Sequence, residues 1–134
     1  MDSPASDPPI HERANSWKTT SLAALTVYWM ALFVGTHWPR LALPLEPSDK
    51  LLHAVGYAGL ALLLALSLAL RGVGGWRLFG TVLAIAAVYG AVDEMTQPLL
   101  ERTPDALDWI ADMTGAIAGL LVFSVIRKLW RRAT

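Results

Sequence analysis

The sequence contains no cysteine, which excludes a disulfide framework, a thiolate nucleophile, a cysteine-ligated zinc site and an iron–sulfur cluster. Charge is scarce as well, because only 16% of the 134 residues are Asp, Glu, Lys or Arg. Eleven basic residues balance eleven acidic ones, so the chain lacks the excess of positive charge that is typical of nucleic-acid-binding proteins. We therefore predict no nucleic-acid partner. Neither an HExxH nor a GxSxG motif occurs, and we predict no metal ion and no cofactor.

Apolar residues make up 54% of the chain, and a mean hydropathy of +0.44 is too high for an ordinary soluble domain. The twenty uncharged residues 19–38 would span about 30 Å as a helix, which is the thickness of a bilayer's hydrocarbon core. Residues 51–70, 78–92 and 113–126 are also free of charged side chains. We therefore predict an all-α, polytopic membrane protein with four transmembrane helices in a compact bundle.

Lys and Arg are unevenly divided between the two sides of the membrane. With four spans, the N-terminal tail, the 71–77 turn and the C-terminus lie on one side, and they carry eight basic residues. The opposite side carries three: Arg40, Lys50 and Arg102. The positive-inside rule then places both termini in the cytoplasm. We expect residues 1–18 to form a disordered cytoplasmic tail, 19–128 the membrane domain and 129–134 a basic cytoplasmic tail. A cleavable signal peptide is the competing interpretation of the first stretch, but its preceding tail is long and proline-rich.

Acidic and other polar side chains concentrate at the non-cytoplasmic ends of the predicted helices. Asp49, His53 and Tyr57 recur every four residues and so share one helix face, with Lys50 beside them. Asp93 and Gln97 are also four residues apart, with Glu94 adjacent, and Asp105, Asp108 and Asp112 follow at spacings of three and four. An Asp or Lys facing lipid at a helix centre costs roughly 2.5–3.5 kcal/mol. We therefore expect these groups to face inward, into one pocket.

Ten residues are our candidates for ligand binding, and no catalytic residue is assigned: Asp49, Lys50, His53, Tyr57, Asp93, Glu94, Gln97, Arg102, Asp108 and Asp112. Structural roles compete with this interpretation. Asp105 follows Pro104 and could simply cap a helix, and His53 and Tyr57 could form hydrogen bonds between helices. Gly115 and Gly119 form a GxxxG motif, which favours close packing of helices within the chain.

Three of these segments, in order and in spacing, resemble motifs of VanZ-like membrane proteins. The stretch DKLLHAVGY at residues 49–57 resembles their DK-x-x-H-x-x-x-Y motif, and DEMTQ at 93–97 resembles their DE-x-x-Q motif. Arg102, Asp108 and Asp112, followed by Gly115, are similar to the family's R…D…(N/D) segment, with Asp112 where many members carry Asn. The resemblance covers about residues 20–128. It implies a multi-pass protein of the bacterial cytoplasmic (inner) membrane, in a family associated with low-level resistance to the glycopeptide teicoplanin.

Three functions remain open. The first is a membrane protein whose outward-facing pocket engages a polar component of the cell envelope or a glycopeptide-related ligand. The second is a membrane-embedded hydrolase or transferase that acts on a lipid-linked or peptide-like substrate, with His53 moving a proton and Asp93 or Glu94 acting as an acid/base or a metal ligand. The third is a structural or assembly subunit, in which the polar groups only hold the helices together. The lipid bilayer is the one predicted partner common to all three, and the oligomeric state is left open.

Overall fold

The computed structural model describes residues 10–37, 49–100 and 105–133, and these residues form four α-helices without any strand. Helix α1 spans Ile10–His37, α2 Asp49–Leu70, α3 Gly75–Thr96 and α4 Ala106–Ala133, and a 3₁₀ helix, Gln97–Leu100, follows α3 directly. Each α-helix is long and apolar enough to cross a membrane. The predicted all-α class is therefore confirmed, as is the prediction of four helices with the length and composition of membrane spans.

Helix α1 begins at Ile10, nine residues before the predicted apolar stretch. Residues 10–18, expected to be disordered, are thus helical, while residues 1–9 lie outside the described part of the chain. Disorder is expected of this segment because it has few apolar side chains to bury. Extending an existing helix avoids the cost of nucleation, and Glu12 in the first turn interacts favourably with the helix dipole. In the same way, α4 continues through residues 129–133 of the predicted basic tail, placing Arg131 and Arg132 in its last turn.

The distribution of side chains is the reverse of that in a soluble protein. Val55 and Leu121 are each 61% exposed, whereas Asp93 is 1% and Asp112 0% exposed. Large apolar side chains cover the outside of all four helices, and the carboxylates of α3 and α4 lie inside. This arrangement fits a chain surrounded by lipid, because hydrocarbon is a good solvent for Val and Leu and a poor one for carboxylates.

Helices α2 and α4 approach each other closely at the GxxxG motif. A Cβ atom added to Gly115 would collide with the backbone carbonyl of Ala54, and one added to Gly119 would collide with that of Ala58. Both obstacles are backbone atoms, so neither can move aside as a flexible side chain would. The two glycines are thus used for packing within the chain, as the sequence predicts.

Helix α1 packs against α2 through Tyr28. The Tyr28 hydroxyl donates a hydrogen bond to the carbonyl oxygen of Gly56 at 2.9 Å. A Cβ on Gly59 would collide with that same hydroxyl, so the absence of a side chain at this position makes room for the tyrosine. At the opposite end of α2, the Arg71 guanidinium donates to the carbonyl oxygen of Lys18 at 2.8 Å. The two helices are therefore joined at two levels.

Substituting Gly115 by alanine is expected to lower stability, because the new methyl group would force the backbones of α2 and α4 apart. Overpacking of this kind typically costs about 1–3 kcal/mol. Gly80→Ala is the matched control, since Gly80 is also helical and a Cβ there meets nothing within 4 Å. Thermal unfolding of the detergent-solubilised chain, followed by circular dichroism, should show a lower Tm for Gly115→Ala and an unchanged or higher Tm for Gly80→Ala. Equal Tm values for the two variants would contradict the packing described here.

Candidate functional site

Polar side chains from all four helices meet at one end of the molecule, where α1 and α3 end and α2 and α4 begin. We call this set the polar cluster: Thr36, His37, Asp49, Lys50, His53, Tyr57, Asp93, Glu94, Gln97, Asp105, Asp108 and Asp112. Nine of the ten predicted candidates belong to it. The tenth, Arg102, lies outside the described residues.

The stripe predicted on α2 faces the interior of the molecule. His53 is 2% exposed and Tyr57 is fully buried, with Asp49 half-buried at the start of the helix. The Tyr57 ring stacks on that of Tyr89 from α3, with centroids 5.7 Å apart. A Cβ on Gly90, next to Tyr89, would lie only 3.0 Å from Asp112 Oδ2, so the glycine lets α3 come close to α4 here.

His53 and Asp112 form the central contact between α2 and α4. The distance from His53 Nδ1 to Asp112 Oδ1 is 2.9 Å, and both side chains are buried. With Asp112 ionised, this contact places a proton on Nδ1, because a carboxylate oxygen can only accept a hydrogen bond. In the neutral imidazole, Nε2 then presents a free lone pair. Asp112 thereby fixes both the orientation and the tautomer of His53.

Asp93 and Glu94 connect α3 to its neighbours. The Thr36 hydroxyl of α1 donates to Asp93 Oδ1 at 2.8 Å. Glu94 accepts from Gln97 Nε2 at 3.0 Å and, through its other oxygen, from the backbone N–H of Asp105 at 2.8 Å. Asp93 is 1%, Glu94 8% and Gln97 0% exposed. The adjacent pair of acids therefore lies inside the protein, as the cost of exposing them to lipid predicts.

Lys50 forms ion pairs with two carboxylates at the start of α4. Its ammonium donates to Asp105 Oδ2 at 2.6 Å and to Asp108 Oδ1 at 2.9 Å. Asp105 also accepts from the backbone N–H of Leu107 at 2.9 Å, which is the helix-capping contact expected from the sequence. The hydrogen bond from Lys50, followed by that from Leu107, lowers the pKa of the Asp105 carboxyl below its usual value. This carboxyl is therefore ionised at neutral pH, as the ion pair with Lys50 requires.

Sequence reasoning missed the contribution of α1. His37 Nε2 lies 2.9 Å from the Thr96 hydroxyl, and its Nδ1 lies 3.4 Å from Asp93 Oδ1, while Thr36 binds the same carboxylate. The sequence does contain an indication of this contribution, because Thr36 and His37 are adjacent polar residues at the C-terminal end of α1, on the same side of the molecule as Asp49 and Asp93. The two residues do not repeat at helical spacing, however, so the pattern used for α2, α3 and α4 does not identify them.

Several buried polar atoms of the cluster and its surroundings have no hydrogen-bond partner among the described residues. They are His53 Nε2, Tyr57 OH, Tyr89 OH, Asp93 Oδ2, Gln97 Oε1 and Asp112 Oδ2. Buried polar groups in native proteins are nearly always paired, because an unpaired one costs about 1–3 kcal/mol. Six such atoms, on α2, α3, α4 and at Gln97, therefore leave hydrogen-bonding capacity unused among the described residues.

Comparison with protein-family models matches residues 8–127 to the VanZ/LLP1 family. The chain belongs to this family. The matched range includes every residue of the polar cluster and all the described residues up to Arg127. Neither a search of curated proteins nor a search of solved structures found a significant match. Family membership is thus consistent with the apolar, membrane-spanning helices, but it does not assign a role to the polar cluster.

Replacing Lys50 by methionine is expected to destabilise the VanZ/LLP1 domain, because Asp108, whose side chain is 5% exposed, would lose its cationic partner. Adding Asp108→Asn should restore much of the lost Tm, since the unpaired charge is then removed. A double-mutant cycle on the detergent-solubilised protein measures this coupling. Strictly additive effects of the two substitutions would show that the contact contributes nothing to stability.

Proposed function

We propose that the protein lies in the bacterial cytoplasmic membrane with both termini inside the cell and the polar cluster on the opposite side. The basic side chains support this orientation. Arg127, Lys128, Arg131 and Arg132 lie at the end of α4 remote from the cluster, beside the start of α3 at Gly75. Arg71 and Lys18 meet at that same end. By the positive-inside rule, that end belongs in the cytoplasm.

Single cysteines can report this topology, since the natural chain has none that would react. Leu99→Cys, at an exposed position beside the cluster, should be labelled by a membrane-impermeant maleimide on intact cells. Arg77→Cys, at the other end of α3, should be labelled only after the membrane is permeabilised. The opposite labelling pattern would reverse the proposed orientation.

We further propose that the polar cluster binds a polar component of the cell envelope. The observation that carries this proposal is the group of buried atoms without partners. If the side chains only held helices together, folding would be expected to pair their polar atoms. Instead, His53 Nε2, Asp93 Oδ2 and Gln97 Oε1 are left unpaired among the described residues.

The free atoms define the chemistry of the ligand. Four of the six free atoms, which are the two carboxylate oxygens, the Gln97 carbonyl oxygen and the imidazole nitrogen, accept hydrogen bonds, so a ligand that pairs with them has to bring donors or positive charge. The Tyr57 and Tyr89 hydroxyls can also donate to it. Hydroxyl, amide and ammonium groups of envelope components fit this requirement. Lys50 is engaged by Asp105 and Asp108 and so is not available to bind an anionic group of the ligand. A role in glycopeptide resistance is the extension that membership of the VanZ family suggests.

Substitution of the cluster tests this function in a host whose teicoplanin susceptibility, or another envelope phenotype, depends on the protein. Glu94→Gln and His53→Ala should each abolish the phenotype, because each removes a group in the site while leaving the lipid-facing surface intact. Arg102→Ala belongs in the same series as the remaining predicted cation. Val88→Ala, on the exposed surface of α3, is the control.

Membrane abundance has to be measured for every variant in this series, so that loss of folding is not mistaken for loss of function. Full activity of all the cluster variants at normal abundance would remove the case for a binding site. Loss of both abundance and Tm in each of them would instead favour a purely structural role.

A membrane-embedded hydrolase or transferase is the second candidate. The observation in its favour is the His53–Asp112 pair, in which a buried carboxylate orients an imidazole whose Nε2 is free to take a proton. Asp93 or Glu94 would then stabilise the protonated ring. Turnover of a lipid-linked envelope substrate by the purified protein, abolished by His53→Asn, would support this candidate over simple binding.

A further inference from the structure

Three buried side chains of the polar cluster offer ligand atoms of the kind that metal ions bind. One nitrogen of His53 and one carboxylate oxygen from each of Asp93 and Glu94 lie within 4.8 Å of one another. The three side chains are 2%, 1% and 8% exposed, respectively. Ligands that surround a zinc ion tetrahedrally at about 2.1 Å are about 3.4 Å apart. Small side-chain rotations would thus bring these atoms around one ion.

Two of the three side chains keep a ligand atom free of hydrogen bonds among the described residues, and the third, Glu94, accepts one hydrogen bond at each oxygen and retains a further lone pair on each. His53 Nδ1 is engaged by Asp112, which leaves Nε2. Asp93 Oδ1 is engaged by Thr36, which leaves Oδ2. Neither Nε2 nor Oδ2 has a hydrogen-bond partner among the described residues, although both side chains are more than nine-tenths buried.

The groups around these three side chains are arranged as they are around ligands in known metal sites. A histidine that binds a metal usually donates its other N–H to a carboxylate or a carbonyl, and here Asp112 fills that role for His53. The carboxylate ligands of such sites are themselves hydrogen-bonded. Glu94 receives hydrogen bonds from Gln97 and from the Asp105 backbone, and Asp93 receives one from Thr36.

The positive charge of Lys50 distinguishes the His53–Asp93–Glu94 triad from a second triad that shares His53. Asp49, His53 and Asp108 also bring ligand atoms within 4.8 Å of one another. Asp108, however, binds the Lys50 ammonium at 2.9 Å, and that positive charge would repel a metal ion. Within residues 10–37, 49–100 and 105–133, no Lys or Arg forms an ion pair with Asp93 or Glu94.

We propose that His53, Asp93 and Glu94 bind one divalent transition-metal ion of the Zn²⁺ or Mn²⁺ class. An imidazole favours such ions over Mg²⁺ and Ca²⁺, while the two carboxylates supply compensating negative charge. The proposal rests on the proposed function of the cluster as a ligand site and names a component of that site. A bound ion would also provide the positive charge that the free acceptor atoms lack.

Metal binding to the full-length protein tests the proposal directly. After treatment with a chelator, the detergent-solubilised chain is titrated with ZnCl₂ and separately with MnCl₂ by calorimetry, and its metal content is measured by mass spectrometry. One ion per chain is expected, together with a Tm that rises with metal concentration. Absence of stoichiometric binding of either ion to the natural chain would overturn the proposal.

Isosteric variants identify the ligands without introducing cavities. Asp93→Asn and Glu94→Gln should each weaken binding by about 100-fold or more, and Asp112→Asn by about 10- to 100-fold, since it acts through His53. Asp108→Asn should retain the affinity of the natural chain and thereby separate the two overlapping triads. Loss of binding in Asp108→Asn with retention in Glu94→Gln would overturn the assignment of ligands.

The metal site and the envelope function can fail separately. If Glu94→Gln abolishes the envelope phenotype at normal abundance but the natural chain binds no metal, the metal proposal falls and the ligand site stands. If the chain binds one ion and Glu94→Gln loses the ion but keeps the phenotype, the metal proposal stands and the proposed function falls.

Discussion

The close approach of α2 and α4 determines the geometry of the whole polar cluster. Gly115 and Gly119 lie against the backbone carbonyls of Ala54 and Ala58, so nothing but hydrogen separates the two helices at these levels. Ala54 directly follows His53, and Gly115 lies three residues after Asp112. The glycine contact is therefore less than one turn away from the His53–Asp112 hydrogen bond, and wider separation of the helices would break it. Packing by small residues and positioning of the site are one and the same feature.

Electrostatics divides the cluster into two levels. At the starts of α2 and α4, Asp105 and Asp108 share the single positive charge of Lys50. One turn deeper lie Asp93, Glu94 and Asp112, which are hydrogen-bonded to Thr36, Gln97 and His53. Hydrogen bonds to neutral donors offset part of the cost of burying a carboxylate, but they do not cancel its charge. The deeper level thus has a deficit of positive charge that a proton or a bound cation would remove.

Much of this arrangement follows from the sequence, because a bilayer restricts the choices available to a chain. Long uncharged stretches have to form helices, and the polar residues of those helices have to face inward, which predicts the four spans and the buried faces of α2 and α3. The three-residue spacing of Asp105 and Asp108 behind Pro104 likewise indicated the helix start. These predictions depend only on local spacing and on the cost of exposing charge to lipid.

Other features depended on contacts between helices that local spacing does not encode. Thr36 joined the cluster only through its hydrogen bond to Asp93, which is 57 residues away. The helical state of residues 10–18 follows from their attachment to a membrane-spanning helix and not from their own apolar content. Local spacing likewise does not show which carboxylates pair with Lys50, because Asp105 and Asp108 are 55 and 58 residues away.

Burial restricts what can reach the deeper level. Lys50 and Asp105 are each 43% exposed in their side chains, whereas His53 and Asp112 are 2% and 0% exposed. A ligand the size of a glycopeptide would therefore meet the outer level first, and it would reach His53 or Asp112 only if the surrounding side chains or helices moved. Since α2 and α4 are held together by backbone contacts at Gly115 and Gly119, their separation would be costly. The two proposals thus share the deeper level: its free acceptor atoms, His53 Nε2 and Asp93 Oδ2 among them, would take either the donor groups of an envelope component that enters past the outer level or an ion that completes the site.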